Sequence, residues 1–254
     1  MSGHSKWHNI KLRKGKVDAQ RGQLFTKLSK EIIVSAKSGS PDPDANFRLK
    51  MAVAKAREAN MPVDTIKRAI ARATGAAAGA ALEEVRYEGY GPAGVAVIVE
   101  AVTDNRHRTA SEMRYIFSRN GGNLGETGSV AWLFDQRGVV RIPRAGISDD
   151  DLLDCAVVDG VLDVALDGDE AEILTDPKIL WPARDAIASN VSRSKGGPVT
   201  TTAALELVAK TPLAVSKDDA PAVLRLLDAL EEHEDVTHIY SNADISDVVL
   251  EALA

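Results

Sequence analysis

Val95-Ala96-Val97-Ile98-Val99-Glu100-Ala101-Val102 is the segment with the strongest strand character in this 254-residue chain. Valine and isoleucine are enriched in strands, and a nearly continuous apolar run is typical of a strand that is buried on both faces. The cluster Tyr87–Gly94 before it contains three glycines and a proline, which predicts a turn. We therefore expect residues 95–102 at the centre of a sheet.

A helix is predicted directly after this strand. Asp104 or Asn105 is the candidate N-cap, and glycine after Asn120 favours a helix end there. Arg106 and Arg108 then fall in the first turn, where the helix dipole disfavours a cation by ~0.3–1 kcal/mol. Two explanations stay open: both arginines bind a phosphate together with the free helix N–H groups, or they pair internally with Asp104 and Glu112.

The glycine-rich segment Asn120–Ser129 does not fit a nucleotide-binding loop. A Walker loop requires lysine after its last glycine, where this chain has Ser129, and a dinucleotide fingerprint requires glycine where it has Asn123. The segment instead predicts a helix C-cap and a turn into a strand over Val130–Phe134.

The rest of the chain predicts two α/β units. A β-α-β-β-α-β order, typical of a ferredoxin-like sandwich, is formed in turn by Gly138–Ile142, Asp149–Asp159, Val161–Leu166, Ala171–Leu174, Pro182–Asn190 and Val199–Leu207. A helix over Ala220–His233 and a strand over Val236–Ser241 remain, and we expect them to complete the sheet begun at Val95. The predicted domains are therefore 1–80, 81–136 plus 209–254, and an inserted 137–208.

Charge divides the chain by position. Residues 1–80 contain 16 Lys and Arg against 6 Asp and Glu, whereas the remainder contains 15 against 31. A mildly acidic protein that concentrates its cations at one end is typical of a module that binds a polyanion. The basic end is therefore the first candidate for a nucleic-acid interface.

Three helices are predicted in the basic segment after an irregular arm. The first covers Gln23–Lys37, with Lys27, Lys30 and Lys37 mostly off its apolar stripe. The second is expected to open with Asp42 as cap and Pro43 at its first position, and to turn inward Phe47, Met51 and Ala54. The third extends from near Pro62 to Gly75, with Ile66, Ala69, Ile70 and Ala73 inward. The fold class is thus α+β: an N-terminal helical bundle followed by two α/β sandwich domains, the last ferredoxin-like.

The cations of the arm are accompanied by only one acid, Asp18, so an anionic partner would relieve their repulsion. Trp7 either stacks on a base or folds back onto the bundle. Any single lysine is more often a solvated surface residue, so the interpretation rests on the excess and not on one side chain. The predicted nucleic-acid-binding residues are Lys6, Trp7, Lys11, Arg13, Lys14, Lys16, Arg21, Lys27, Arg106 and Arg108.

Several classes of function are disfavoured. The single cysteine, Cys155, is expected to pack as a small apolar side chain, which favours a reducing compartment. The start has no signal-peptide core, and no apolar stretch approaches the ~20 residues of a membrane span. His4 and His8 lack further metal ligands, and no catalytic constellation is recognisable. We predict a soluble, cytoplasmic protein that is not an enzyme, with no cofactor, no metal, no small-molecule substrate and no membrane contact.

At this point the chain resembles the YebC/PmpR family. The resemblance is carried by Gly3-His4-Ser5-Lys6-Trp7, Phe25-Thr26-Lys27-Leu28, Ala59-Asn60-Met61-Pro62, Tyr87-Glu88-Gly89-Tyr90-Gly91-Pro92, Thr103-Asp104-Asn105-Arg106, Asn120-Gly121-Gly122-Asn123-Leu124-Gly125 and Ile239-Tyr240-Ser241-Asn242. It implies a helical N-terminal domain followed by two α/β domains, and no enzymatic activity. The Ala-rich linker 76–81 and the acidic run 231–235 depart from the family pattern.

The resemblance implies a DNA-binding regulator of transcription. The alternative is a translation factor that contacts ribosomal or transfer RNA and relieves stalled elongation, since bacterial relatives are linked to ribosomes and mitochondrial relatives to translation. The expected partner is nucleic acid, DNA or RNA, and a ribosome or a polymerase is a further candidate partner. The exposed cations are mostly lysine and no helix-turn-helix signature is clear, which leaves room for recognition of RNA or of shape.

Overall fold

The structure, a computed structural model, describes residues 17–74, 82–166 and 169–253, with the backbone alone for 17–21. Three helices come first: α1 (Val17–Lys37), α2 (Phe47–Glu58) and α3 (Val63–Thr74). Their shared core is formed by buried aliphatic side chains, among them Leu28, Ile32, Leu49, Val53 and Ile66. The predicted helical bundle is therefore confirmed, with the described part of α1 beginning six residues before the predicted start.

The second helix differs from its prediction in both start and orientation. It begins at Phe47, not at Pro43, because Asn46 is the N-cap: its Oδ1 accepts from Leu49 N at 3.1 Å. The Asn46 side-chain amide also donates to Ser35 O at 2.8 Å, which fixes the loop against α1. Asp42 instead closes a turn by accepting from Asp44 N.

The inward face of α2 was predicted wrongly. Leu49, Ala52, Val53 and Ala56 are buried, whereas Phe47 is 47% exposed and Met51 and Ala54 are half-buried. These four buried residues recur at helical spacing and pack in the core of the bundle, so the inward stripe of α2 lies on a different side of the helix from the predicted one. Phe47 finds a different partner, since its ring lies 4.2 Å, centroid to centroid, from the ring of Trp181 in the third domain.

The middle domain is built on a sheet in the order β3-β1-β2-β9. Its strands are β1 (Glu83–Tyr90), β2 (Ala96–Thr103), β3 (Asn123–Leu124) and β9 (Val236–Ser241), and the helix α4 (Arg106–Arg119) follows β2. Because side chains alternate along a strand, Val97 and Val99 pack on one face with Phe117 of α4, and Ile98 packs on the other with Phe134. The prediction that residues 95–102 are central in a sheet is confirmed, and the strand is buried on both faces.

The cluster Tyr87–Gly94 is only partly a turn, because Tyr87–Tyr90 belongs to β1. Its glycines permit close approach, not only chain reversal: a Cβ on Gly89 would lie 2.6 Å from Asn123 O and 2.8 Å from the Phe117 ring. The turn itself is a short 3₁₀ segment, Pro92–Gly94, with Gly94 at φ +77°. Glycine at the approach site was misread as a turn signal.

No strand forms over Val130–Phe134, contrary to prediction. Ala131–Leu133 is a 3₁₀ turn, and β4 begins at Phe134. The Glu88 carboxylate, whose residue is 3% exposed, accepts from the N–H groups of Gly128, Val130 and Ala131 at 2.8–2.9 Å. These three donors are then not available to a strand partner. The predicted C-cap is confirmed, with Asn120 at the cap and Gly121 at φ +77°.

The third domain has the predicted ferredoxin-like order, an antiparallel sheet β5-β6-β4-β7 covered by two helices. Its elements are β4 (Phe134–Pro143), α5 (Asp149–Cys155), β5 (Val161–Ala165), β6 (Glu170–Thr175), α6 (Leu180–Lys195) and β7 (Thr202–Ala209). Cys155 is buried in this core, and burial raises the pKa of its thiol.

The chain then returns to the middle domain through elements after β7. These are β8 (Leu213–Ala214), α7 (Ala220–Glu231), β9, β10 (Ala243–Asp244) and α8 (Asp247–Leu253). Since β9 pairs with β2, the third sheet is inserted between strands of the middle one, as predicted. The α+β fold class is confirmed, while the domain boundaries near 80, 136 and 208 stay predictions. In 17–74, 82–166 and 169–253, no helix combines the length and the apolar composition needed to cross a bilayer.

Candidate nucleic-acid interface

The inner side of α1 is turned toward the middle domain, and two of its lysines meet the end of α7. Lys27 Nζ donates to Glu231 O, and Lys30 Nζ donates to Glu234 O at 3.1 Å. The last carbonyls of a helix accept no hydrogen bond from within the helix and lie at the negative end of its dipole. They therefore attract cations. Burial lowers the pKa of Lys27 against the opposing effect of the Glu231 carboxylate.

Asp235, 1% exposed, is the central acceptor at this contact, which we call the seam. Its Oδ1 lies 2.5 Å from Lys30 Nζ, and its Oδ2 accepts from Thr109 Oγ1 at 2.8 Å. Burial raises the pKa of Asp235, but the hydrogen bonds from Lys30, Thr109 and Thr103 and the charge of Lys30 together outweigh burial, so the pKa lies below its ordinary value. One buried carboxylate thus joins the helical domain to the start of α4.

The first turn of α4 has the predicted cap. Asn105 Oδ1 accepts from Arg108 N at 3.1 Å, so Arg106 and Arg108 occupy the first turn as expected. The Arg108 guanidinium pairs with Asp104 at 2.9 Å and with Asp235 at 3.4 Å. The hydrogen bond to Asp235 raises the pKa of Arg108. Internal pairing therefore accounts for Arg108, although its partner besides Asp104 is Asp235 and not Glu112.

Arg106 behaves differently. Its side chain is exposed and, within the part of the chain that the structure describes, has no ion pair or hydrogen bond. Only its backbone carbonyl is engaged, by the Tyr87 hydroxyl at 3.4 Å. Phosphate binding by Arg106 stays a prediction.

Glu112, His233 and Asp235 form a cluster whose potential ligand atoms lie within 4.8 Å of one another. His233 Nε2 lies 2.9 Å from Glu112 Oε2, and its Nδ1 accepts from Asp235 N at 3.1 Å. The cluster could offer three ligands, but Lys30 and Arg108 already neutralise Asp235. Two cations on one ligand oppose a divalent metal, so the arrangement favours an ion-pair network.

The outer side of the helical domain carries cations with no internal partner. Among the described residues, no side-chain hydrogen bond or ion pair involves Lys37, Arg57, Lys67 or Arg72, and all four are exposed. Other cations of this domain are engaged: Arg48 pairs with Glu84 and Lys55 with Glu31. We use the name open face for these four exposed, unpartnered residues as a set.

The predicted binding residues divide accordingly. Lys6, Trp7, Lys11, Arg13, Lys14 and Lys16 lie outside the described residues, as do the candidate ligands His4 and His8, and for Arg21 only the backbone position in α1 is described. Lys27 lies in the seam, half-buried. Arg106 and Arg108 lie together at the start of α4. Binding by these residues stays a prediction.

A cleft of about 380 Å³ lies where the helical domain borders the sheet. Its charged lining is composed of ion pairs: Arg48 with Glu84, and Arg86 with Glu100 at 2.7 Å. His238 lies 3.7 Å from Glu100, and burial, followed by the Lys55 ammonium, lowers its pKa. Each acid here faces a cation, an arrangement that serves docking and offers no nucleophile beside a base.

Sequence reasoning missed the importance of Lys30 and Asp235. Lys27 and Lys30 are three residues apart and so share one side of a helix, which indicated a patch but not its partner. The acidic run 231–235 was the complementary signal, about 200 residues away along the chain. Only the return of β9 to the middle sheet brings the two together.

Comparison with known proteins gives concordant results. Residues 5–76 match the family model described as the TACO1/YebC protein N-terminal domain, and residues 82–243 match the one described as TACO1/YebC second and third domain. The chain is 48% identical over its full length to a probable transcriptional regulatory protein of Dictyoglomus turgidum, of which it covers 100%. It is 49% identical to one of Moorella thermoacetica, with 100% of this chain and 99% of that protein covered.

A solved structure is also similar. The crystal structure of a conserved hypothetical protein from Aquifex aeolicus shares 40% identity with the chain at a TM-score of 0.81. The match covers 91% of this chain and 93% of that one. The similarity therefore extends to all three domains.

Proposed function

The chain belongs to the TACO1/YebC family, and on this premise we propose that it is a non-enzymatic, nucleic-acid-binding regulator of gene expression. Its relatives in Dictyoglomus turgidum and Moorella thermoacetica are named probable transcriptional regulatory proteins, which supports a regulatory role. DNA is the partner that these names favour. We place its action in the cytoplasm, with a polymerase or a ribosome as further candidate partners.

One observation carries the proposal: the exposed cations of the open face have no side-chain partner among the described residues. Lys37, Arg57, Lys67 and Arg72 are exposed and unpartnered among the described residues, and they lie in the segment with 16 cations to 6 acids. Unpaired like charges repel one another, and a polyphosphate relieves that repulsion with release of counterions. The acidic third domain would repel the same ligand, so binding is directed to the basic end.

A translation factor that contacts ribosomal or transfer RNA is the second candidate. It is favoured by the composition of α3, VDTIKRAIARAT, which contains no Asn or Gln. Reading of adenine edges in a DNA major groove commonly uses those amides. Helices that present Lys and Arg alone suit contacts to phosphates and to shape, which are the main contacts of structured RNA.

Binding should be measured by fluorescence anisotropy with duplex DNA, with a structured RNA and with ribosomes as competitors. If about six phosphates are neutralised, log K falls with log salt with a slope of about −4 to −5. A flat salt response would contradict both nucleic-acid functions. Preference for ribosomes by orders of magnitude would contradict the DNA regulator and support the translation factor.

A further inference from the structure

We propose that the outward face of α4 binds unpaired nucleotides, with Tyr115 as a stacking platform and Arg114 and Arg119 as phosphate contacts. The inference rests on the proposed function. It adds a second surface, located in the middle domain, and specifies the form of nucleic acid that this surface accepts.

The face is defined by the periodicity of α4. Thr109, Met113 and Phe117 are buried against the domain. Residues three and four apart lie together on a helix, so the opposite side presents the exposed residues Ser111, Arg114, Tyr115, Ser118 and Arg119. A bulky ring, two guanidinium groups and two hydroxyls are therefore gathered on one solvent-facing strip.

Tyr115 is held in place although it is 59% exposed. The Arg119 guanidinium carbon lies over its ring, 5.8 Å from the centroid, and Arg119 Nη1 donates to its hydroxyl. A ring fixed before binding loses less conformational entropy when a ligand stacks on it. Aromatic faces next to arginine are the usual platform for single-stranded bases.

The charge of α4 is not balanced locally. The helix contains four arginines and one acid, Glu112, whose carboxylate is engaged by His233 at 2.9 Å. Arg114 has no side-chain partner among the described residues. An anionic ligand would supply the missing compensation.

A second arginine–aromatic pair, Arg184 with Trp181, is engaged within the protein and serves as a comparison. Arg184 lies 5.5 Å from the Trp181 ring centroid, but it is also paired with Asp185. Trp181 is half-buried and meets the Phe47 ring edge-on. Within the part of the chain that the structure describes, Tyr115 and Arg119 have neither a neutralising acid nor a covering ring, so their contact is available to a ligand.

Unpaired nucleotides fit this face better than a duplex does. Bases within a duplex are stacked on one another and do not offer a ring face to a tyrosine, whereas loops and single strands do. A helix that reads a major groove must also project into it, and α4 lies against the sheet and against α7. The face is therefore suited to a splayed base with its flanking phosphates.

The test uses the full chain with a short labelled single-stranded RNA, the same sequence as single-stranded DNA, and the matched duplex. Tyr115→Leu should weaken single-strand binding about 5- to 100-fold, the range expected for loss of one stacked base. Tyr115→Phe should retain affinity within about 3-fold, since the ring persists. Arg114→Gln and Arg119→Gln should each make the slope of log K against log salt shallower by about 0.7. Arg225 is an exposed cation on α7, and Arg225→Gln should leave the slope unchanged.

The outcomes separate the two levels of the proposal. No binding by the wild-type protein to any of the three probes would defeat the proposed function itself. Wild-type binding with unchanged single-strand affinity in Tyr115→Leu, at an unchanged thermal unfolding midpoint, would overturn only the α4 inference. Either strand bound through Tyr115 supports it, and the tighter of the two identifies the preferred sugar.

Discussion

The seam and the open face use the same kinds of side chain for opposite purposes. At the seam, Lys27 and Lys30 are turned inward onto the end of α7 and onto Asp235, which is 1% exposed. On the open face, the side chains of Lys37, Arg57, Lys67 and Arg72 have no acceptor among the described residues. The cationic excess of the first 80 residues therefore has two parts, one structural and one available to a ligand.

This difference shows why a lysine count alone overstates a binding surface. Lys27 and Lys30 belong to the same basic segment as Lys37, yet Lys27 donates to the last carbonyl of α7 and Lys30 pairs with the buried Asp235 carboxylate. Removing one partner of a buried ion pair strongly lowers the free energy of unfolding, whereas removing an exposed unpaired cation changes it hardly at all. Substitutions should therefore separate the two regions by their effect on unfolding.

The largest effect on the free energy of unfolding is expected from Asp235→Ala in the seam. It leaves Lys30 and Arg108 without their shared acceptor, and loss of one partner of a buried ion pair costs about 3–5 kcal/mol. Chemical denaturation measures the change. Glu234→Ala is the control, because only its backbone carbonyl contacts Lys30, and it should change stability by less than about 0.5 kcal/mol. Equal effects for both would contradict the role given to Asp235.

A buried carboxylate within one domain provides the next test. Glu88→Gln weakens the three hydrogen bonds that the carboxylate accepts from backbone N–H groups. It should lower the free energy of unfolding by about 1–3 kcal/mol at neutral pH. Glu83→Gln, exposed on the same strand, should have no measurable effect.

The pH dependence of Glu88 has a definite sign. Burial raises its pKa, but the three N–H donors lower it by more, so the folded pKa lies below the unfolded value of about 4.3. The stabilisation is present above that value and is lost as the pH falls through the folded pKa. Denaturation curves from pH 7 to 3 should show this loss in the wild-type protein and a smaller one in Glu88→Gln. Parallel curves would contradict the assignment.

A smaller effect is expected where the helical domain meets the third domain. The double-mutant cycle of Phe47→Ala and Trp181→Ala should give a coupling energy of about 0.5–1.5 kcal/mol, as is typical of an aromatic pair. The control cycle combines Phe47→Ala with Leu153→Ala, where Leu153 is an exposed residue of α5, and it should show no coupling energy. Zero coupling in the first cycle would mean that the rings do not meet in solution.

Much of this fold could be predicted from local pattern. Residues 95–102 predicted a central strand because nearly every side chain is apolar, and the order of strands and helices in 138–207 indicated a ferredoxin-like domain. Errors arose where a distant side chain decides the backbone. Asn46, which is fixed by its hydrogen bond to Ser35 O, caps α2 in place of Asp42, and Glu88 replaced the expected strand at 130–134 by a turn.

The candidate site was harder to predict for a related reason. The cationic surplus is visible in the sequence, and Arg106 and Arg108 were placed correctly in the first turn of α4. Which cations are engaged depends on Asp235, 205 residues from Lys30. Nothing within either segment specifies that pairing, because it is created by the insertion of one sheet within another.

The most direct test of the division between structural and available cations compares two triple variants of equal charge. Lys37/Lys67/Arg72→Gln removes three cations of the open face, and Lys178/Lys217/Arg225→Gln removes exposed cations of the acidic domains. The free energy of unfolding of both variants should lie within about 0.5 kcal/mol of that of the wild-type protein. In the open-face variant, the slope of log K against log salt for nucleic-acid binding should become shallower by about 2–3, and in the other variant it should be unchanged. Equal slopes for the two variants would contradict the account.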